Sequence, residues 1–287
     1  MKKHLSTIVV IVIFICGLSL FLYPALSNMY NEHLNNKLIN DYKDAFSDIK
    51  PQEYNDALEK ARLYNENLND KQKLQELGLT YENTLNITND GIMGYIEIPK
   101  ISVSLVIYHT IDENVLQKGI GHVPESALPV GGKDTHCLLA GHTGLPSAKL
   151  LTNIDHLKIG DKFYIHVLND VLEYRIDNVS VVEPHEVSLT GVVSGKDCVT
   201  LITCTPYGVN SHRLLVRGTR VNDSSNLTPD NDNVSNEILN IETKYLITFS
   251  LLGLGIVCFA IFKFLSIKKK KALLTKEGSN DSDKTTE

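Results

Sequence analysis

Hydrophobic residues form two long uninterrupted runs near the ends of the chain and short alternating runs between them. Residues 5–23 carry no charge and follow Met1-Lys-Lys. As a helix this run would span about 28 Å, which is enough to cross a bilayer. A second apolar run begins at Tyr245, continues to Phe262 and is followed by Lys263, whose side chain can snorkel to the interface. The pattern predicts transmembrane helices over residues 5–23 and 245–267.

The segment between the first apolar run and Gly91 has a helical pattern. Pro51 is suited to the first turn of a helix, and apolar residues follow it at helical spacing: Tyr54, Leu58, Ala61, Tyr64 and Leu68. We expect two helices between Asn28 and Leu77. Residues 24–90 are therefore predicted to form a helical stalk outside the membrane, in the region where a lid would also lie.

Beyond Gly91 the hydrophobic period changes from helical to strand-like, which marks a domain boundary. Turn residues such as Pro99 and the Gly131-Gly132 and Gly160-Asp161 pairs separate these runs. The candidate strands are residues 93–98, 103–108, 136–140, 162–168, 171–182, 198–203 and 213–221. Short strands at this spacing predict a mainly β domain, closed into a barrel, over residues 91–222. Residues 223–244, rich in Asn, Asp and Ser, are predicted to be a linker.

Charge is distributed unevenly along the chain. The net charge is −6, which argues against a nucleic-acid-binding surface. Most of the negative charge lies in the body, whereas residues 1–4 and the tail 268–287 are basic. Basic ends and an acidic body predict that both termini stay in the cytoplasm while the body is exported. Cleavage as a signal peptide at Ala25-Leu26-Ser27 is the alternative to an uncleaved anchor.

Cysteine usage limits what the outer domain can contain. Of the five cysteines, Cys16 and Cys258 lie in the apolar runs, which leaves Cys137, Cys198 and Cys204. An odd number requires a free thiol unless chains are cross-linked, and Cys198 and Cys204 are too far apart on one extended strand to pair. A zinc site is not favoured, because no Cys-x-x-Cys unit accompanies these residues.

Cys204 is the strongest candidate for a nucleophile. An apolar, β-branched run carries it to the Pro206-Tyr207-Gly208 turn, and a second such run returns with Arg213. A thiol at a strand end is accessible, and nearby positive charge favours the reactive thiolate. A buried structural cysteine is the alternative interpretation.

The motif around this cysteine resembles a known family. Residues 200–204, Thr-Leu-Ile-Thr-Cys, match the Thr-Leu-x-Thr-Cys signature of sortases, and residues 205–218 resemble the class C, pilus-assembling branch. Residues 94–100 and 141–150 are also similar, so that the resemblance covers roughly residues 90–222. It implies an eight-stranded β-barrel with short helical insertions.

The resemblance also implies site residues and an activity. His142 and Arg213 stand at the positions of the family's catalytic histidine and arginine, beside the cysteine Cys204. By the same family pattern we expect His212 to be structural and Arg217 to be a structural or rim charge. The implied reaction cleaves a Leu-Pro-x-Thr-Gly sorting signal between Thr and Gly through a thioacyl enzyme. The thioacyl group is then joined to the lysine amine of a pilin, and no metal or organic cofactor is needed.

Three other interpretations remain open at this point. The enzyme would attach surface proteins to peptidoglycan if the acceptor amine came from a peptidoglycan precursor. A non-catalytic pilus assembly scaffold would keep the barrel without the reaction. A papain-like hydrolase is disfavoured, because no Cys-Gly-x-Cys-aromatic segment surrounds Cys204.

One departure from the class C pattern concerns the lid. Class C members commonly close the site with an Asp-Pro-aromatic motif, whereas residues 69–91 contain no proline. Asp70 and Tyr81 are only loose substitutes. We therefore expect an active site that no plug of this kind occupies.

Overall fold

The computed structural model describes residues 2–47, 49–186 and 190–221, with side chains from residue 8 onwards. The α-helices are α1 (Lys2–Ser47), α2 (Pro51–Glu66), α3 (Lys71–Glu76) and α4 (Glu113–Leu116). The strands are β1 (Ile92–Ile98), β2 (Val103–Tyr108), β3 (Ile120–His122), β4 (Thr135–Ala140), β5 (Lys162–Val167), β6 (Asp170–Val182), β7 (Asp197–Thr205) and β8 (His212–Arg220). Short 3₁₀ helices cover Pro99–Ile101 and Ile154–His156.

The eight strands form a closed barrel in the order β1-β2-β3-β4-β7-β8-β6-β5. The β2–β3 and β4–β7 pairs are parallel, and the other pairs are antiparallel. The sequence predicted seven of these strands to within two residues at each end, and the closed, mainly β barrel is confirmed. The sequence pattern did not predict β3, because a strand of three residues is too short to show an alternating pattern.

The barrel interior is filled by large apolar side chains. Phe163 and Tyr174 are fully buried and stack with their ring centroids 5.5 Å apart. Gly218 lies against both, and a Cβ at this position would come within 2.6 Å of the Phe163 ring. Adjacent strands can therefore pack closely here only because residue 218 has no side chain.

Helix α1 is longer than the sequence pattern suggests. It runs without interruption for 46 residues and contains Pro24. The predicted first stalk helix is therefore wrong as a separate element, because it continues the apolar helix. A stripe of α1 is buried on the barrel through Ile39, Tyr42 and Phe46, and beside it the buried Asn35 donates to Lys118 O and accepts from Val106 N. This packing stabilises the helix beyond the apolar run.

Helix α1 is the one helix among the described residues that is long and apolar enough to cross a bilayer. The predicted second span over residues 245–267, the linker 223–244 and the tail 268–287 all lie outside the described residues. Cys258 lies outside them as well. The four described cysteines are free thiols, and no disulfide joins Cys198 to Cys204.

Candidate active site

Cys204 and Arg213 are paired on adjacent strands. Strand β7 runs antiparallel to β8, and Cys204 lies opposite Arg213 in the second-to-last pair of the ladder. The cysteine is half-buried and carries a free thiol. The Arg213 guanidinium donates to the carbonyls of His212, at 3.1 Å, and Asn210, at 3.4 Å. It makes no ion pair among the described residues, so no carboxylate in that part of the chain neutralises its charge.

His142 reaches the same end of the barrel from the neighbouring strand. Strand β4 runs parallel to β7, with Ala140 opposite Ile202, and the backbone N–H of Gly141 donates to Ile202 O at 3.0 Å. His142 is the next residue, so it follows the path of β7 towards Cys204. The structure therefore brings the ends of β4 and β7 and the start of β8 together, as the sequence predicted.

The His142 imidazole has an unfilled hydrogen-bonding position. Its side chain is 25% exposed, and the Glu113 carboxylate lies 3.4 Å from Nε2. That nitrogen is itself buried from solvent and makes no hydrogen bond of acceptable geometry in the described part of the chain. The contact with Glu113 is thus close but poorly aligned, and Nε2 remains available to exchange a proton.

Glu113 is a site residue that the sequence did not reveal. It opens the four-residue helix α4 after β2, and its side chain is 68% exposed. No spacing relates it to Cys204 or His142, because α4 approaches the site only through the fold of the barrel. No signal in the sequence distinguished Glu113 from the other surface acidic residues.

The loop after β4 and the β7–β8 loop contact each other beside the site. The loop after β4 is anchored by a hydrogen bond from Leu151 N to His142 O at 3.1 Å. Gly144 in this loop has φ +77, and the Tyr207 ring of the β7–β8 loop covers it. A Cβ at residue 144 would lie 2.9 Å from that ring. A glycine is therefore required both by the left-handed backbone and by the contact with Tyr207.

Arg217 is engaged in an ion pair. Its Nε and Nη2 donate to the two oxygens of Asp177 at 2.9 and 3.3 Å, and Thr219 also donates to this carboxylate. Burial alone would raise the pKa of Asp177, but the hydrogen bonds from Arg217 and Thr219 hold it below its usual value. Arg217 thus stabilises the β6–β8 pairing.

The remaining candidates from the sequence have other partners. Burial raises the pKa of Cys137 and that of Cys198, which also contacts Thr219 Oγ1 at 3.7 Å. His212 Nδ1 bonds to Ser211, and its Nε2 lies 3.3 Å from Glu183. Within the described ranges no cluster of three His, Cys, Asp or Glu residues is arranged to hold a metal ion.

Comparison with known proteins identifies the family. Residues 96–221 match the sortase domain model. The chain is 32% identical over 149 residues to sortase A of Bacillus anthracis, covering 52% of this chain and 69% of that protein. The chain belongs to the sortase family. Sortases are cysteine transpeptidases and are membrane-associated, and the predicted family and enzyme class are therefore confirmed.

This sortase is similar to solved structures of class C sortases. Sortase C1 of Streptococcus agalactiae superposes with a TM-score of 0.60 at 41% identity, covering 64% of this chain and 98% of that structure. Sortase C of Clostridium perfringens, solved with the C-terminal cell wall sorting motif, superposes with a TM-score of 0.57 at 40% identity. That match also covers 64% of this chain and 98% of the solved one.

In this sortase the lid region, residues 69–91, makes its hydrogen bonds to groups other than Cys204, His142 and Arg213. The Tyr81 hydroxyl lies 3.0 Å from His122 Nδ1 and accepts from Thr110 N at 3.0 Å. His122 is the last residue of β3 and lies opposite Leu139 of β4, and Thr110 follows the end of β2. The Asp70 carboxylate caps α3 by accepting from Lys73 N.

No hydrogen bond or ion pair in the described residues joins positions 69–91 to Cys204, His142 or Arg213. The expectation that no plug of the usual kind occupies the site stays a prediction.

Proposed function

We propose that this sortase assembles pili, by cleaving a Leu-Pro-x-Thr-Gly signal between Thr and Gly and joining the threonine to a pilin lysine. The observation that carries the proposal is the pairing of Cys204 with Arg213 beside the strand end that delivers His142. Nucleophile, proton donor and cation are the three groups that acyl transfer through a thioester requires. The class C neighbours support the choice of a pilin as substrate.

In the first step the Cys204 thiolate attacks the threonine carbonyl carbon. The Arg213 guanidinium, which has no carboxylate partner in the described structure, donates to the carbonyl oxygen as negative charge develops there. His142 gives a proton to the glycine nitrogen as the peptide bond breaks. The products are a thioacyl enzyme and a peptide with a free amino terminus.

In the second step an amine attacks the thioacyl carbon. The lysine ε-amine loses a proton to His142 as the new amide forms, and the Cys204 thiolate leaves. The buried Nε2 of His142, with no hydrogen bond in the described structure, suits a group that must first give and then accept a proton. The result is an isopeptide bond between two polypeptides.

We propose a two-pass arrangement in the cell membrane, with residues 5–23 and 245–267 as spans and both termini in the cytoplasm. The acidic body and the basic ends favour it. Chain length also permits it, because residues 222–244 could reach about 75 Å if fully extended. The part of α1 between Tyr23 and Phe46 is about 35 Å long, so this linker is long enough to return to the membrane.

The test uses the full chain in lipid nanodiscs with a Leu-Pro-x-Thr-Gly peptide and two competing acceptors. One acceptor is a peptide with a single lysine ε-amine, and the other is a peptide that mimics the amine of a peptidoglycan precursor. We expect mass spectrometry to find the threonine joined to the lysine ε-amine. Exclusive joining to the precursor mimic would instead make this enzyme a cell-wall-attaching sortase, and no cleavage by a folded chain would indicate a scaffold.

A further inference from the structure

The direction of α1 along the barrel is fixed by hydrogen bonds at both ends of its contact. Near its middle, the Asn28 side chain accepts from Lys149 N at 2.8 Å and Asn31 donates to Ser147 O at 2.7 Å. Towards its end, the Tyr42 hydroxyl donates to Met93 O and accepts from Leu168 N. Because these bonds involve main-chain groups of the barrel, α1 cannot slide or rotate without breaking them.

These contacts place the apolar part of α1 beside the active site. Lys149 and Ser147 belong to the loop that begins at His142, at the end of the barrel that holds Cys204. Met93 and Leu168 lie at the other end, where β1 starts and β5 stops. The helix therefore runs from the active-site end to the opposite end, and its apolar N-terminal part extends outward past the active-site end.

The distance between the bilayer and this end is short. Asn28 follows the last residue of the uncharged run, Tyr23, by five positions, which is about 8 Å along a helix. The headgroup layer on each side of the hydrocarbon core is about 5–8 Å thick. The far end of α1, at Phe46, is about 35 Å from Tyr23. The loop after His142 thus lies at the headgroups, and the opposite end of the barrel lies well clear of them.

Apolar and aromatic side chains are exposed at the active-site end of the barrel. Tyr207 and Val209 in the β7–β8 loop are 67% and 70% exposed, beside the active site. On α1, Leu26 and Tyr30 are 55% and 64% exposed beyond the predicted span. Apolar and aromatic residues of this kind suit the membrane interface.

The opposite end of the barrel is polar. It holds an open cavity of about 870 Å³. Charged residues that line this cavity are Arg62, Lys133, Asp170, Lys196, Asp197 and Arg220. A surface rich in charge is suited to water rather than to the acyl chains of lipids.

We infer that the active-site end of the barrel rests on the bilayer surface, with the β7–β8 loop in the headgroup layer. The partner of this surface is lipid, and α1 supplies the attachment that orients it. The orientation makes Cys204 accessible from the plane of the membrane, and the polar cavity faces away from it. This inference rests on the proposed membrane span over residues 5–23 and does not depend on the proposed reaction.

The test measures the depth of single spin labels on the full chain in nanodiscs that carry a paramagnetic metal chelate on some headgroups. Labels are attached to Pro146→Cys or Val209→Cys at the active-site end, and to Lys133→Cys or Arg62→Cys at the other end. All four positions are exposed. The background replaces Cys16, Cys204 and Cys258 with serine, whereas Cys137 and Cys198 are buried and stay.

We expect the chelate to relax the two labels at the active-site end several-fold more strongly than the two at the opposite end. Circular dichroism confirms that each labelled variant is folded, and two positions at each end guard against one failed variant. Equal relaxation at both ends, or stronger relaxation at residues 62 and 133, would overturn the inference. Sorting-peptide cleavage by the unlabelled parent is measured separately, so that a failed reaction and a wrong orientation are distinguished.

Discussion

Replacing Tyr81 by phenylalanine separates a structural role of the lid region from a plugging role. The substitution removes one hydroxyl and keeps the ring, which packs on His109 and His122 with centroid distances of 5.0 and 5.6 Å. The lost hydroxyl leaves the buried His122 Nδ1 without its partner, and the half-buried Thr110 N–H and the His122 carbonyl each lose a bond. Deleting the whole segment would be less informative, because Leu74, Leu79 and Leu85 belong to the buried core.

The expected loss of stability follows mainly from His122 Nδ1. A buried polar group left unpaired costs about 1–3 kcal/mol, so we expect the free energy of unfolding to fall by about 1–3 kcal/mol. The control is Tyr164→Phe, since the Tyr164 hydroxyl makes no hydrogen bond in the described residues. That variant should change stability by less than about 0.5 kcal/mol. Urea unfolding of both variants at neutral pH gives the comparison.

The same variants test access to the active site. Within the described residues no hydrogen bond joins Tyr81 to Cys204, so a small thiol reagent should modify Cys204 at the parental rate in both variants. A plug that kept the site closed by about 2.7 kcal/mol would hold the open form near one part in a hundred. A folded Tyr81→Phe protein with parental stability and a Cys204 that reacts tens of times faster would therefore refute our interpretation.

Three further predictions concern charge. Arg213→Lys should lose most transpeptidation activity although the charge remains, since a lysine cannot reproduce the planar fork of donors of an arginine. Arg217→Lys should mainly lower the melting temperature. Reversed effects in folded variants would mean that the two arginines were assigned wrongly. Glu113→Gln should slow thioacyl formation by no more than about fivefold, because the exposed Glu113–His142 pair contributes about 1 kcal/mol or less. Glu59→Gln is the control. A hundredfold loss would instead make Glu113 essential.

Acid should destabilise the fold through His122, because burial lowers its pKa to about 4 while the unfolded chain keeps an ordinary value near 6.5. The stability that its neutral form provides is lost as pH falls from about 6.5 to 4, by about 2 kcal/mol at pH 5; an unfolding free energy that stays constant between pH 7 and pH 5, or a His122→Gln variant that loses as much as the parent, would contradict this.

The barrel was predictable because its strands have clear alternating or continuous apolar patterns. The β7 run is rich in β-branched residues, and a Pro-Tyr-Gly turn separates it from the next apolar run in β8, so the local sequence favours pairing of the two strands. Strand β3 was not predictable, because three residues carry no period. Helix α1 was underestimated because the hydrogen bonds of Asn28, Asn31 and Asn35 to the barrel, which extend it, are tertiary contacts.

The candidate site was predictable in part for the same reason. Cys204 and Arg213 belong to one hairpin, so a spacing of nine residues carries their pairing. His142 was found from its strand end and from the family motif. Glu113 and the Tyr81–His122 contact join residues far apart in sequence, and only the closed barrel brings them together. No pattern within a single segment encodes such contacts.

The central claim is that Cys204 is the nucleophile that forms the thioacyl enzyme. The most direct measurement is intact-protein mass spectrometry of the full chain after brief exposure to a Leu-Pro-x-Thr-Gly peptide without an acceptor amine, followed by mapping of the modified residue. We predict an adduct of the peptide up to threonine on Cys204, present in Cys198→Ala and absent from Cys204→Ala. An adduct on Cys198 or Cys137, or a Cys204→Ala protein that still forms one, would contradict the account.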